Sequence, residues 1–103
     1  MKLLNAFSLS MLAGFPAVVK VEEIPLEKAR QLVKDGFQSF VGHPDACRVY
    51  GELLQVEVPM NRVSVQLSFS EVSLVGQYSG PRLPEGATSL PAGATIKWLL
   101  VTT

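Results

Sequence analysis

A strand-like run followed within a few residues by a proline and then a helical run constrains this chain more than any other feature, and it occurs twice. Residues Ala17 to Ile24 are rich in valine and alternate into charge, with Val19 and Val21 set against Lys20 and Glu22. That spacing predicts a strand. Pro25 follows, and Leu26, Ala29, Leu32 and Val33 then fall on one face at helical spacing until Gly36. Proline suits a first helical turn because its missing N–H would have had no partner there. The second instance is shorter. Phe37 to Val41 is aromatic and β-like, and Gly42-His43-Pro44-Asp45 starts a helix whose apolar face is Ala46, Val49, Tyr50, Leu53 and Leu54. Strands that alternate with helices predict an α/β domain.

The remaining segments fill in that frame. Lys2 to Asn5 reads as a first strand. Ser8 reads as the N-cap of one or two helical turns holding Met11 and Leu12, with Gly14 as a stop. Arg62 to Phe69 alternates strictly, with Val63, Val65, Leu67 and Phe69 on one side and Ser64, Gln66 and Ser68 on the other. Val72, Leu74 and Gly76 continue the rhythm after Ser70-Glu71, so a β-hairpin is expected. Ser79 to Ala94 is punctuated by proline and glycine and reads as a long loop, a kind that is usually functional. Ile96 to Val101 is a final apolar strand. With 103 residues there is room for one domain spanning residues 1–103. The expected architecture is a single small α/β domain, a mixed sheet of about five strands flanked by helices.

Charge narrows the partners. Nine basic and nine acidic residues give a net charge of zero. A protein that coats long nucleic acid needs a broad basic footprint, so long nucleic acid is not expected. A small phosphate-bearing ligand held by a few arginines remains compatible. Hydrophobic residues make up 48% of the chain, an apolar lean that in a short chain suggests a surface covered by a partner. Cys47 is the one cysteine and cannot form an internal disulfide. With one cysteine and one histidine, no zinc cluster is expected, and neither a metal nor a cofactor is implied. The N-terminal apolar stretch is broken by Asn5, Ser8 and Ser10 and carries one charge, which argues against a secretory signal. No run is long enough for a membrane span, and a cytoplasmic setting is expected.

One histidine stands at an informative place. His43 lies between Gly42 and Pro44 at a predicted helix N-terminus, where free N–H groups and the helix dipole favour anions. An imidazole there is an acid or base beside a candidate phosphate site. From spacing alone, a surface turn histidine is the commoner situation. Arg62 and Arg82 stand near turn punctuation, and arginine suits phosphate through its planar fork of donors; ordinary surface charge is the simpler account. Asn5 and Ser8 are placed to bind a ligand or to cap a helix. Cys47, Trp98 and the two tyrosines read as packing residues, and Asp45 as a partner of the helix dipole.

Three blocks carry a family resemblance. They are Asn5-Ala6-Phe7-Ser8-Leu9-Ser10-Met11-Leu12 with Phe15-Pro16, then Val41-Gly42-His43 followed after a helix by Asn61-Arg62-Val63, then Arg82-Leu83-Pro84-Glu85-Gly86. In that order and spacing, over nearly the whole chain, they resemble the viral type III anti-CRISPR ring nucleases and their cellular relatives. Asp45 and Ala46 depart from the pattern, since small hydroxyl residues are common at those places. Ser10 stands where asparagine is frequent.

The resemblance implies a homodimer that binds cyclic tetra-adenylate across its two-fold axis. It also implies metal-independent cleavage into linear di-adenylate. His43 would be the catalytic acid, with Glu85 of the other subunit near it. Asn5, Ser8, Ser10, Gly42, Arg62, Arg82 and Asp45 would form the ligand site. The positive end of a helix disfavours an imidazolium, and a nearby carboxylate favours it, which is a physical reason to want Glu85 there. Two other readings stay open: a dimer that sequesters the ring uncut, and a small viral protein that binds DNA or a host factor.

Overall fold

The computed structural model describes residues 1–103. Its strands are β1 (Lys2–Leu4), β2 (Lys20–Ile24), β3 (Gln38–Ser39), β4 (Val72–Ser79) and β5 (Thr95–Thr102). Its helices are α1 (Leu26–Lys34) and α2 (Pro44–Leu54), with a short 3₁₀ turn at Leu9–Met11. The five strands form one sheet in the order β2-β5-β4-β1-β3. β1 runs parallel to both β3 and β4, while β5 is antiparallel to β4 and to β2. The expected mixed five-stranded α/β sheet is therefore what forms.

Local chemistry explains the helix ends. Pro44 occupies the first turn of α2 with His43 as N-cap, and Gln55 ends the helix in the left-handed region at φ 60°. Pro25 sits one position earlier than expected. It is the N-cap of α1, and its carbonyl accepts from the amides of Lys28 and Ala29. Gly36, at φ 105°, follows the C-cap Asp35 and lets the chain leave the helix. The predicted helix after Ser8 shrinks to the 3₁₀ turn.

Both helices lie on one face of the sheet. Leu3, Leu74, Ile24 and Trp98 from the strands meet Ala29 and Val33 of α1 and Ala46, Cys47, Tyr50 and Leu54 of α2. The opposite face buries Leu4, Val75 and Val101 under Leu67, with Phe7, Met11 and Val65 around them. Irregular chain rather than a helix covers that second face.

That cover is where the expected hairpin fails. Residues 62–69 form no strand with β4. Leu67 alone pairs, through a parallel bridge with Leu12 and a 2.7 Å bond from its amide to the Met11 carbonyl. β4 has no free edge, because β1 takes one side and β5 the other over eight residue pairs. The alternating segment crosses the sheet instead, burying Leu67 and leaving Val63 and Phe69 exposed. β4 does join a hairpin, but with β5, and residues 80–94 are its long connection.

Glu71 anchors the crossing segment. Its carboxylate meets Lys2 Nζ at 2.9 Å and accepts from the Ser68 amide at 2.8 Å. Partial burial pushes its carboxyl up, but the Lys2 and Ser68 hydrogen bonds and the nearby positive charges outweigh this and hold it below the usual value. A folded-state value below the unfolded one adds stability above the ordinary glutamate range, and that stability is lost as pH falls through the lowered value. Glu71→Gln is expected to cost about 0.5–1 kcal/mol, the solvent-screened scale for a partly exposed pair. Urea denaturation at neutral pH and again in acid checks this, because the difference must close in acid.

Candidate functional site

Strand direction assembles the site. β1, β3 and β4 are parallel neighbours, so their C-terminal ends lie at one edge of the sheet. Asn5 follows β1, Gly42 and His43 come shortly after β3, and Tyr78 is near the end of β4. Clefts outside the carboxyl ends of parallel strands are common ligand sites. Here such a cleft, of about 730 Å³, is lined by Asn5, His43, Asp45, Tyr78, Arg82 and Glu85. Its apolar floor is Ala46, Val49, Tyr50 and Ile96.

A second cleft of about 460 Å³ adjoins it and shares Asn5 and His43. Ser10, Gly42, Arg62 and Ser64 line that side. The segment bearing Arg62 is tied down before it arrives. Asn61 donates from its amide to the Val41 carbonyl at 2.9 Å and from Nδ2 to the Ser39 carbonyl at 3.0 Å. The Ser39 hydroxyl donates to the Pro59 carbonyl at 2.5 Å. Gly42 permits this approach, since a Cβ there would lie 3.2 Å from Cγ of Arg62. His43 thus stands between two clefts, with Arg82 on one side and Arg62 on the other.

The candidate residues divide accordingly. Asn5, His43, Asp45, Arg82 and Glu85 share the larger cleft, and Ser10, Gly42 and Arg62 line the smaller. Ser8 lines neither cleft. Its Oγ accepts from the Ser10 amide at 3.3 Å and meets the Ser10 hydroxyl at 3.0 Å, which is the capping duty. His43 is exposed and its ring makes no capping bond, so both ring nitrogens remain available. Asp45 is engaged: its Oδ1 pairs with Arg48 and accepts from the Gly86 amide at 3.1 Å. Its charge is therefore offset locally instead of facing a ligand unpaired.

Tyr78 and Arg48 did not emerge from the sequence as site residues. Tyr78 is half-buried in the cleft wall, and its hydroxyl donates to the Pro81 carbonyl at the start of the long connection. Its position just before a proline- and glycine-rich stretch was the available signal. Arg48 Nε donates to the Ala87 carbonyl at 3.1 Å, and its spacing from Asp45 is that of neighbours on one helix face. No three His, Cys, Asp or Glu side chains come together as a metal cluster. No helix is long and apolar enough to cross a membrane.

One family model matches residues 1–92 of this chain. The chain belongs to the STIV B116-like family. A relative in Sulfolobus islandicus filamentous virus (isolate Iceland/Hveragerdi), uncharacterized protein 26, is 31% identical over 85 residues, covering 82% of this chain and 71% of that protein. The solved structure of B116 from Sulfolobus turreted icosahedral virus superposes with a TM-score of 0.79 at 23% identity, covering 99% of this chain and 97% of B116. The likeness to B116 shows a shared fold for this STIV B116-like chain. The family relation established here is thus to viral B116-like proteins.

The floor of the cleft depends on one close approach within the fold. The Tyr50 hydroxyl donates to the Gly76 carbonyl, and burial pushes that hydroxyl well above its ordinary value. A Cβ on Gly76 would fall 2.7 Å from the Tyr50 ring, which is held edge-on against Trp98 at 5.2 Å. Gly76→Ala is therefore expected to lose about 1–3 kcal/mol by overpacking. Urea denaturation of the variant checks this; unchanged stability would mean that the Tyr50 ring is free to move.

Proposed function

We propose that the paired clefts form the active site of a ring nuclease that cuts cyclic tetra-adenylate into linear di-adenylate with 2′,3′-cyclic phosphate ends. One observation carries the reading. Three segments distant in sequence bring Asn5, His43, and Arg82 with Glu85 to one cleft, and a fourth places Arg62 on the other side of the same histidine. These are residues that the ring-nuclease resemblance implies for binding and cleavage.

The chemistry needs no metal. A ribose 2′-OH attacks its own adjacent phosphorus in line, forming the P–O2′ bond as the P–O5′ bond breaks. The 2′-OH proton leaves to solvent, and His43 as imidazolium gives a proton to the departing 5′-oxygen. Alignment of attacking and leaving oxygens supplies much of the rate. Arg62 and Arg82 offset the charge that builds on the phosphate oxygens. Glu85 lines the same cleft as His43. The apolar floor of Val49, Tyr50 and Ile96 suits the faces of an adenine.

A cleft of about 730 Å³ is on the scale of a drug-sized ligand, roughly 300–1,000 Å³. A ring of four nucleotides is larger than that. Two copies related by a two-fold axis would offer two sites to a four-fold ring, and two opposite cuts would yield two dinucleotides. The reading therefore includes a homodimer acting in the cytoplasm where such a messenger is made, switching off type III CRISPR signalling.

The test is cleavage of labelled cyclic tetra-adenylate in EDTA, with His43→Ala beside the wild type. Di-adenylate is expected from the wild type. The variant is expected to lose about 10²–10⁴ in rate with binding changed little, because a leaving-group acid acts in the transition state. Wild-type speed in the variant would remove His43 from that role. Tight retention of an intact ring would make the protein a sequestering one, and neither binding nor cleavage would overturn the proposal.

A further inference from the structure

The connection between β4 and β5 reaches the cleft over residues 80–94, with little internal structure to hold it there. Its own backbone bonds are from the Ala87 amide to the Pro84 carbonyl and from the Ala94 amide to the Pro91 carbonyl, both at 3.1 Å. A stretch of that length without strand or helix has many conformations to lose on ordering. Yet Arg82 and Glu85 line the cleft beside His43.

Tyr78 holds Pro81 where the connection begins, and two further anchors come from one turn of α2. Asp45 Oδ1 accepts from the Gly86 amide at 3.1 Å. Arg48 Nε donates to the Ala87 carbonyl at 3.1 Å. The anchored residues are consecutive, and the anchoring side chains are paired with each other. Each bond to the arm has one ionised member, the stronger kind of hydrogen bond. Gly86 is at φ 80°, a conformation that favours glycine and turns the chain immediately after Glu85.

We propose that Asp45 and Arg48 are positioning residues: they clasp the Arg82–Ala87 arm to helix α2 of the same chain and hold Arg82 and Glu85 at the cleft that His43 lines. The resemblance to ring nucleases implies Glu85 from the other subunit, and the clasp concerns how each chain holds its own arm. It also gives the acidic residue after Pro44 a task other than contact with phosphate. The catalytic consequence rests on the function proposed above, whereas the clasp itself does not.

The deciding experiment follows amide hydrogen exchange at Gly86 and trypsin cleavage after Arg82 in wild type, Asp45→Asn, Asp45→Ala and Arg48→Ala. Asparagine keeps an oxygen that can accept from Gly86. Protection of the Gly86 amide is expected to fall about tenfold or more in Asp45→Ala and to stay within about threefold in Asp45→Asn. Trypsin should cut after Arg82 several-fold faster in Asp45→Ala and Arg48→Ala. Unchanged exchange of core amides, such as those of β4 and β5, reports that each variant is folded. Equal protection and equal cutting in all four proteins would overturn the clasp.

Labelled Asp45→Ala mixed with excess unlabelled wild type tests the chain of origin. An intrachain clasp leaves the labelled Gly86 exposed, and recovered protection would overturn that assignment. In the cleavage assay Asp45→Ala is expected to lower kcat/KM about tenfold or more, with Asp45→Asn restoring most of it. Equal kcat/KM for wild type and Asp45→Ala would deny these residues a positioning role. If the wild type cleaves nothing, the proposed function fails while exchange and proteolysis still decide the clasp.

Discussion

The parallel pairing of β1 with both β3 and β4 is the constraint on which the rest of this structure depends. A strand of three residues, Lys2–Leu4, holds the sheet together between a two-residue strand and an eight-residue one. Because the three run in one direction, the chain leaves each of them at the same edge. Asn5, the Gly42-His43 corner and the connection after Ser79 are brought together for that reason. Had β3 or β4 run the other way, its following residues would have emerged at the opposite end. Leu3 and Leu4, both fully buried, keep β1 in register by filling the cores on the two faces of the sheet.

The two faces are covered by different means. On one side α1 and α2 supply apolar stripes at helical spacing, and their contacts with Trp98, Leu74 and Ile24 form the larger core. On the other side Met11 of the 3₁₀ turn, with Val65 and Leu67 of the crossing segment, covers Leu4, Val75 and Val101. Backbone groups there find individual partners, such as the Leu67 amide on the Met11 carbonyl and Lys2 Nζ on the Gln66 carbonyl. The smaller cleft, with Arg62, Ser10 and Gly42, is lined partly by this irregular cover. The larger one is built against α2. His43 separates them because it caps α2 where the two coverings meet.

How much of the site could be read from residue order depends on how local each cause is. His43 at a helix N-terminus was legible, since Gly42 before it and Pro44 after it mark the boundary through backbone preferences of their own. Arg62 and Arg82 were visible as candidates through turn punctuation, but nothing local distinguishes an arginine in a cleft from one in solvent. Asp45 was assigned to the helix dipole and, through the resemblance, to the ligand site; the Gly86 amide that it accepts from lies 41 residues away. Ser8 could have capped or bound, and the 3₁₀ turn used its hydroxyl for capping. Tyr78 looked like a packing aromatic because its neighbours in sequence are strand residues.

The sequence by itself determined the elements with local causes: helices opened near Pro25 and Pro44, strands where valine and leucine cluster, and a long connection where proline and glycine recur. It also bounded the chemistry through a net charge of zero, one histidine and one cysteine. Tertiary structure decided which strands pair. Arg62 to Phe69 has the alternation of a strand, yet alternation states only that one side is apolar, and a strand also needs a free edge. β5 offered β4 an eight-residue antiparallel partner and β1 took the remaining edge. The alternating segment buried its apolar side across the sheet instead. Competition for backbone hydrogen bonds is settled between segments far apart in the chain, so no local pattern records its outcome.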